Sequence, residues 1–311
     1  MVNFRKRAYY LIMESLKGIN VFGIAFFVFF LFAKNLSFAQ NPAHGLINKT
    51  TLSFNSTDYN LYEFSSKPIA ENKVKVKYLV HDAYRKFIEL KKEKNILLVT
   101  AASYTSAFFS NGTPIGLCAF EGEFLNKMPN QIMDGLVVSN FGGLVLAQHV
   151  YDLDMIKNDT IDINSQLNPR ESALDSYLFY SWVEKNKLSV FQTQLVYSHL
   201  KTKEENFKSL YSGSDSKQRR FLVVAKKENI LRNLIVGSPK RDYVMKASKD
   251  VFDMLSGEGY EIQFILNLDT GSKNLLYVNN GKFLENLKRN TTTKLARIER
   301  ASNLIVFFFD K

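Results

Sequence analysis

Apolar and polar positions along the chain follow two spacings, and these spacings predict the elements of the fold. Short runs that are apolar throughout, or that alternate apolar and polar residues, predict strands. Between them the chain carries turn residues such as Asn111-Gly112 and Thr270-Gly271-Ser272. The predicted strands are Tyr59–Phe64, Ile96–Ala102, Ile115–Phe120, Leu188–Tyr197, Arg220–Ala225, Ile230–Val236, Phe264–Leu268, Leu275–Val278 and Leu304–Phe309.

Longer stretches with apolar residues every three or four positions predict three helices. The first covers Tyr78–Glu93. The second starts at Asn168-Pro169-Arg170-Glu171, which has an N-cap residue, a proline at the first helical position and an acid two positions later, and it ends near Lys185. Its expected core face carries Leu174, Tyr177, Leu178 and Trp182. The third helix covers Lys246–Leu255, and Gly257 closes it.

The order of these elements predicts the fold class. Strands and helices alternate irregularly, and several strands follow one another as hairpins. This arrangement favours an α+β fold with mixed, largely antiparallel sheets and a few helices in a single domain, rather than a doubly wound parallel sheet. We place the domain at residues 58–311, after a polar N-terminal arm at residues 40–57.

The first 39 residues are predicted to be a signal peptide. Basic residues precede an apolar core of 13 residues, Val21–Ala33, and Ser37-Phe38-Ala39 supplies small residues for cleavage after Ala39. A membrane-spanning helix needs about 20 apolar residues, so an uncleaved anchor is the less favoured alternative. We therefore expect an exported protein of the periplasm, the cell surface or the extracellular space, with no stable membrane span after cleavage.

Composition and residue spacing reduce the range of partners and cofactors that the sequence predicts. The formal net charge is +11, but the predicted leader contributes five basic residues and one acid, so the remainder is only mildly basic. Its lysines are scattered, which does not indicate a nucleic-acid surface. Cys118 is the single cysteine and lies in an apolar run, so we expect no disulfide and an inert core thiol. The four histidines lack the spacing of metal ligands, and no nucleotide-binding loop is present, so neither a metal nor a cofactor is predicted.

Asp269 stands where an apolar strand meets the turn Thr270-Gly271-Ser272. An acid in that position is held rigidly at the edge of a sheet, where catalytic groups are often found. The same residues are also ordinary hairpin-turn residues. Taken alone, this turn favours the structural interpretation.

Five segments in a fixed order strengthen the functional interpretation. They are AASYTSAFFSNGTPIGL (101–117), VVSNFGG (137–143), VFQTQLVY (190–197), QRRFLVVAKKEN (218–229) and, after a helix, EIQFILNLDTGSKNLLYV (261–278). Together they resemble the phosphodiester glycosidase family across nearly all of the chain after the leader. The resemblance implies a hydrolase that removes a sugar, such as N-acetylglucosamine, from a phosphodiester. The implied partner is a phosphorylated glycan of the envelope or the extracellular space.

The resemblance also implies roles for individual residues. By this resemblance Asp269 is catalytic, as a base, a nucleophile or a stabiliser of the oxocarbenium ion, and Arg220, or Arg219 one position earlier, binds the phosphate. The implied substrate-binding residues are Thr105, Ser106, Asn140, Gln192, Gly271, Ser272 and Lys273. The chain departs from the family where Thr105 replaces an asparagine, Ala107 a glycine, and Ser272-Lys273 a glycine and a serine.

These departures leave three alternatives open. The protein could be a catalytically inactive descendant that binds a phosphorylated glycan. Arg220 and Asp269 could form a structural ion pair at the edge of a sheet. The chain could also be a structural envelope protein without a ligand.

Overall fold

The computed structural model describes residues 45–64, 74–106, 112–139, 148–152, 168–202, 205–207, 216–270, 274–279, 284–286 and 298–311. The predicted leader and its cleavage site lie outside these ranges. None of the helices within them is both long and apolar enough to cross a membrane.

Fifteen strands and three helices are seen in these ranges. The strands are β1 (Ile47–Phe54), β2 (Thr57–Phe64), β3 (Lys75–Val80), β4 (Lys94–Ala101), β5 (Cys118–Phe120), β6 (Glu123–Asn126), β7 (Gly135–Ser139), β8 (Gln148–Asp152), β9 (Ser189–Ser198), β10 (Lys217–Lys227), β11 (Ile230–Asp242), β12 (Glu261–Asn267), β13 (Leu276–Asn279), β14 (Leu284–Asn286) and β15 (Asn303–Asp310). The helices are α1 (Ala83–Glu93), α2 (Ala173–Lys185) and α3 (Val244–Gly257).

The strands form two antiparallel sheets. The larger sheet has the order β1-β2-β11-β10-β12-β9-β5-β6, and β7 also pairs with β9 and β8. The smaller sheet has the order β14-β13-β4-β15-β3. Every pairing of these strands is antiparallel, which confirms the predicted α+β class with largely antiparallel sheets.

The two sheets pack face to face, and a helix covers the outer face of each. Leu222 and Leu266 of the larger sheet share one buried cluster with Tyr78 and Phe307 of the smaller one. On the outer face of the larger sheet, Val251 of α3 packs with its apolar residues. On the outer face of the smaller sheet, Phe87 of α1 does the same. The alternating side chains of each central strand are therefore buried on both faces, which explains why the sequence shows continuous apolar runs there.

The described part of the expected N-terminal arm is a strand and not a loose segment. Residues 47–54 form β1, which pairs with β2 along its whole length, from Ile47 with Phe64 to Phe54 with Thr57. Most β1 side chains are exposed. A strand with solvent on most of its side chains gains little from apolar residues, so its sequence is as polar as that of a loop.

The first predicted helix begins later than expected. Residues 75–80 form β3, which pairs with β15, and α1 starts only at Ala83. The apolar residue Leu79 fits a helical stripe with Phe87, but it faces α1 from the sheet instead. The chain changes direction at His81 and Asp82, both of which have positive φ.

Helix α2 is rotated relative to the expected core face. Phe179 and Val183 are its buried residues, and they pack on apolar residues of β7 and β9 such as Val138 and Val190. Leu174 is 65% exposed and Tyr177 is 66% exposed. The helix is apolar on several sides, so its sequence periodicity could not select the face that packs.

Candidate functional site

The candidate site lies where strands of both sheets end close together. The backbone amide of Leu268, just after β12, donates to the carbonyl of Arg220 in β10 at 2.9 Å. The next amide, that of Asp269, donates to the carbonyl of Ala102 at the end of β4, also at 2.9 Å. The first bond extends the pairing of β12 with β10, and the second joins the larger sheet to the smaller one. We call the residues around this junction the strand-end site.

Arg220 is the central cation of the strand-end site. It is 3% exposed and lies on the same face of β10 as Leu222, so its side chain enters the space between the sheets. Nη1 donates to Thr100 Oγ1 at 3.1 Å and to the Leu275 carbonyl at 2.8 Å, and Nη2 donates to Asn274 Oδ1 at 2.8 Å. These three acceptors are neutral groups, and together they fix the orientation of the guanidinium.

Arg219 occupies a different environment. Its Nε donates to the Asp242 carbonyl at 3.1 Å, near the start of α3. A bulge between Gln218 and Arg219 shifts the register of β10 against β11 at this point. Of the two arginines that the sequence left open, Arg220 is therefore the one in the strand-end site.

Asp269 and Thr270 are buried at the edge of this site, at 8% and 5% exposure. The backbone of Asp269 is adjacent to that of Arg220, because Leu268 pairs directly with Arg220 and Asp269 follows it. Gly271, Ser272 and Lys273 lie outside the described residues. The expectation that Arg220 and Asp269 act on one substrate group is compatible with this backbone geometry and stays a prediction.

Thr105 and Ser106 continue the segment that leaves β4. Thr105 forms an isolated bridge with Pro114, and the Ser106 amide donates to the Thr113 carbonyl at 3.0 Å. Thr105 is half-buried and Ser106 is exposed. Ala107 and Asn140 lie outside the described residues. The segment thus starts at Ala102, beside Asp269, and leads outward to the surface.

Gln192 uses its amide group within the chain. Its Oε1 accepts from the amides of Leu117 at 3.0 Å and Asn130 at 2.8 Å. Its Nε2 donates to the carbonyls of Asn130 and Met133. These four bonds account for the usual hydrogen-bonding capacity of a glutamine amide. Gln192 therefore holds two loops against β9, and its predicted contact with sugar hydroxyls stays a prediction.

The position of the Gln192 amide leaves no room for a side chain at residue 116, which gives a first testable prediction. The φ of Gly116 is +81°, and a Cβ atom there would collide with the Oε1 atom of Gln192. We expect Gly116→Ala to lower the free energy of unfolding by about 2 to 4 kcal/mol, the sum of left-handed strain and a displaced buried amide. Chemical denaturation measures the change. Gly259→Ala is the control, because its φ is also +81° but no atom lies within 4 Å of the added Cβ. Equal losses in both variants would contradict the role of Gln192.

Two asparagines of the site were not predicted from the sequence. Asn274 accepts from Arg220 and donates from Nδ2 to Gln218 Oε1 at 2.5 Å, which fixes the guanidinium. Asn267 is 1% exposed, and its Nδ2 donates to Gln194 Oε1 at 3.0 Å and to the Tyr104 hydroxyl. Its Oδ1 has no hydrogen-bond partner among the described residues. In the sequence, the signal for Asn267 is a polar residue at the end of an otherwise apolar strand.

Two further observations limit the chemistry of the core. Burial raises the pKa of the Cys118 thiol to about 12, although a hydrogen bond with Tyr78 acts in the opposite direction. A thiol in that state is not a nucleophile near neutral pH. Among the described residues, no group of three His, Cys, Asp or Glu side chains converges as metal ligands would.

Comparisons with known proteins give no family assignment. No family model matches the sequence, and no curated protein matches it. One similar solved structure is the catalytic domain of zebrafish N-acetylglucosamine-1-phosphodiester α-N-acetylglucosaminidase, auto-inhibited by its pro-peptide. The TM-score is 0.48 and the sequence identity is 13%, and the match covers 85% of this chain and 82% of that one. A hypothetical protein from Synechocystis is similar with a TM-score of 0.48 and 10% identity, over 85% of this chain and 62% of that one. Likenesses this distant assign no activity.

Proposed function

We propose that the protein is an exported hydrolase that cleaves a sugar from a phosphodiester at the strand-end site. The observation that carries this proposal is the buried guanidinium of Arg220, held by three neutral acceptors beside the backbone of Asp269. A fixed arginine fork binds two oxygens of a phosphate group, which a flexible surface lysine does less well. The substrate is accordingly a sugar phosphodiester of an envelope or extracellular glycan.

The proposed reaction breaks the bond between the anomeric carbon and the phosphate oxygen. Positive charge develops on the sugar ring as this bond lengthens, and the phosphate leaves as a monoester anion. Asp269 supplies the negative charge at the anomeric carbon, as a general base for water, as a nucleophile or as a stabiliser of the ring cation. Arg220 stabilises the charge on the departing phosphate. Water supplies the hydroxyl group of the released sugar and the proton that balances the reaction.

A binding protein without turnover is the second candidate function. The specific observation in its favour is the amide of Gln192, whose four hydrogen bonds all go to backbone groups of the chain. Thr105, which replaces the asparagine of the family pattern, also pairs with Pro114. A site whose Gln192 amide is committed to structural contacts can keep phosphate affinity while losing the alignment that catalysis needs.

A paired-substrate assay separates these functions. We expect the protein to release N-acetylglucosamine from its methyl 1-phosphodiester and to leave the methyl glycoside, which lacks the phosphate, intact. Saturable binding of the diester without sugar release would favour the binding protein. Equal cleavage of both compounds would contradict a role for the phosphate, and neither binding nor cleavage of the diester would contradict both functions for this sugar.

A further inference from the structure

A cavity of about 440 Å³ opens beside the strand-end site, at the end of β3. Its size lies within the usual range of small-molecule pockets. Its described lining contains both polar and apolar residues. The polar ones are His81, Asp82, Thr113 and Ser302, and the apolar ones include Pro114 and Leu125.

We propose that this cavity binds an uncharged sugar residue. The carboxylate of Asp82 accepts hydrogen bonds, and the hydroxyls of Thr113 and Ser302 both donate and accept them, which matches the hydroxyls of a sugar ring. Pro114 and Leu125 provide an apolar wall for the carbon face of the ring. No lysine or arginine belongs to the described lining, so the cavity does not favour a phosphate.

The backbone at the end of β3 supports a binding role for Asp82. His81 and Asp82 have φ values of 51° and 65°, which cost non-glycine residues roughly 1 to 2 kcal/mol each. Asp82 is the N-cap of α1, yet its side chain makes no capping hydrogen bond. Its Oδ2 instead accepts from Arg85 Nε at 3.1 Å, and the pair is exposed. The carboxylate has therefore given up the stabilising role that an N-cap aspartate usually has.

The cavity lies close enough to the strand-end site to serve the same substrate. β3 and β4 flank β15, so their ends are about 10 Å apart at the usual strand spacing. Asn303 of β15 connects them: it pairs with Val80 of β3, and its Oδ1 accepts from the Ser103 amide at 2.8 Å. Ser103 follows Ala102, which accepts from the amide of Asp269. A glycan held at Asp269 would reach the cavity with its next sugar residue, and this part of the proposal rests on the proposed function.

Thr113 links the cavity to the predicted substrate segment. Its carbonyl accepts from the amide of Ser106 at 3.0 Å and from the Ser106 hydroxyl at 3.3 Å. One wall of the cavity is thus built on the strand-like pairing of residues 104–106 with residues 113–115. Ser106, expected from the sequence to bind substrate, stands between the cavity and the segment that leads back to Asp269.

The test uses phosphate-free probes, so that it does not depend on phosphodiester cleavage. Cellobiose, chitobiose, maltose and lactose are titrated into the protein by calorimetry. We expect at least one disaccharide to bind saturably, and Asp82→Asn to weaken it about tenfold or more, as expected for the loss of a hydrogen bond to a charged group. Asparagine tolerates positive φ, so this variant should keep its fold. Thr113→Val provides a second variant, which removes a hydroxyl without changing the charge.

Asp175→Asn is the matched control, because Asp175 is an acid near the start of a helix, as Asp82 is, and does not belong to the described cavity lining. The affinity of this variant for the disaccharide should equal that of the unchanged protein. The proposal is overturned if none of the four disaccharides binds at about 10 mM, a concentration that would nearly saturate a site with a dissociation constant of about 1 mM. It is also overturned if binding survives both cavity variants. Disaccharide binding without diester cleavage would contradict only the proposed function. Diester cleavage without disaccharide binding would contradict only the proposed role of the cavity.

Discussion

Asp269→Asn is expected to reduce sugar release from a phosphodiester by about 10² to 10⁴-fold, the usual contribution of a general acid or base. Asparagine has the same shape but neither carries the charge nor accepts the proton. The turnover number should fall, whereas the Michaelis constant should change little, because the proposed function assigns phosphate binding to Arg220. Steady-state kinetics on the methyl 1-phosphodiester of N-acetylglucosamine measures both quantities.

The stability of the same variant separates catalysis from a structural ion pair. A carboxylate kept for catalysis contributes little to stability, so we expect the free energy of unfolding to change by less than about 1 kcal/mol. Breaking a buried ion pair would instead cost about 3 to 5 kcal/mol. An activity loss that merely follows the fraction of unfolded protein would show that Asp269 is structural.

Asp250 offers a matched control within the same chain. It is also buried, at 5% exposure, and its carboxylate accepts from Asn55 Nδ2 at 2.9 Å, from the Tyr59 hydroxyl at 3.2 Å and from Lys246 Nζ at 3.1 Å. Burial, and then the charge of Asp250, raise the pKa of Tyr59. Asp250→Asn should therefore lower stability while leaving the activity per folded molecule unchanged, which is the opposite of the result expected for Asp269→Asn.

The sequence predicted the fold class because the central strands are covered on both faces. Strands such as β10 and β12 are buried by the other sheet on one side and by α3 on the other, so they are continuously apolar and easy to locate. Strand β1 has no such cover on most of its residues, and its polar sequence gives no comparable signal. The start of α1 was missed because Leu79 fits a helical spacing equally well from the neighbouring strand.

The sequence was less informative about the site, for a different physical reason. The end of an apolar run pointed to Asp269, and the family resemblance pointed to Arg220 or Arg219. The structure brings the backbones of Arg220 and Asp269 close together through the hydrogen bond at Leu268. Nothing in the sequence indicated that Asn274 orients Arg220, because the two residues are 54 positions apart and meet only through the packing of the two sheets. The sequence also could not show that the amide of Gln192 is used by the backbone at residues 117, 130 and 133.

Arg220→Lys is expected to lower the free energy of unfolding by about 2 to 4 kcal/mol, because a lysine ammonium cannot reproduce the planar fork that reaches three separate acceptors. Thr100, Asn274 and the Leu275 carbonyl would then be buried with incomplete hydrogen bonding. Arg219→Lys is the control one position earlier, where Nε donates to the Asp242 carbonyl away from the strand-end site, and a smaller loss is expected.

The effect of inorganic phosphate on the stability of the same two variants tests whether Arg220 binds phosphate. If Arg220 binds the phosphate of the substrate, inorganic phosphate stabilises the folded protein by mass action and raises its unfolding midpoint. We expect Arg219→Lys to retain this rise and Arg220→Lys to lose most of it, with sulfate-free chloride at equal ionic strength as the reference. A phosphate effect of the same size in both variants would place the anion elsewhere, and Arg220 would then be a structural residue that joins the two sheets. The stability loss and the phosphate response test different properties, because the first depends on acceptors within the chain and the second on the paired donors that a guanidinium, unlike an ammonium, offers to two phosphate oxygens.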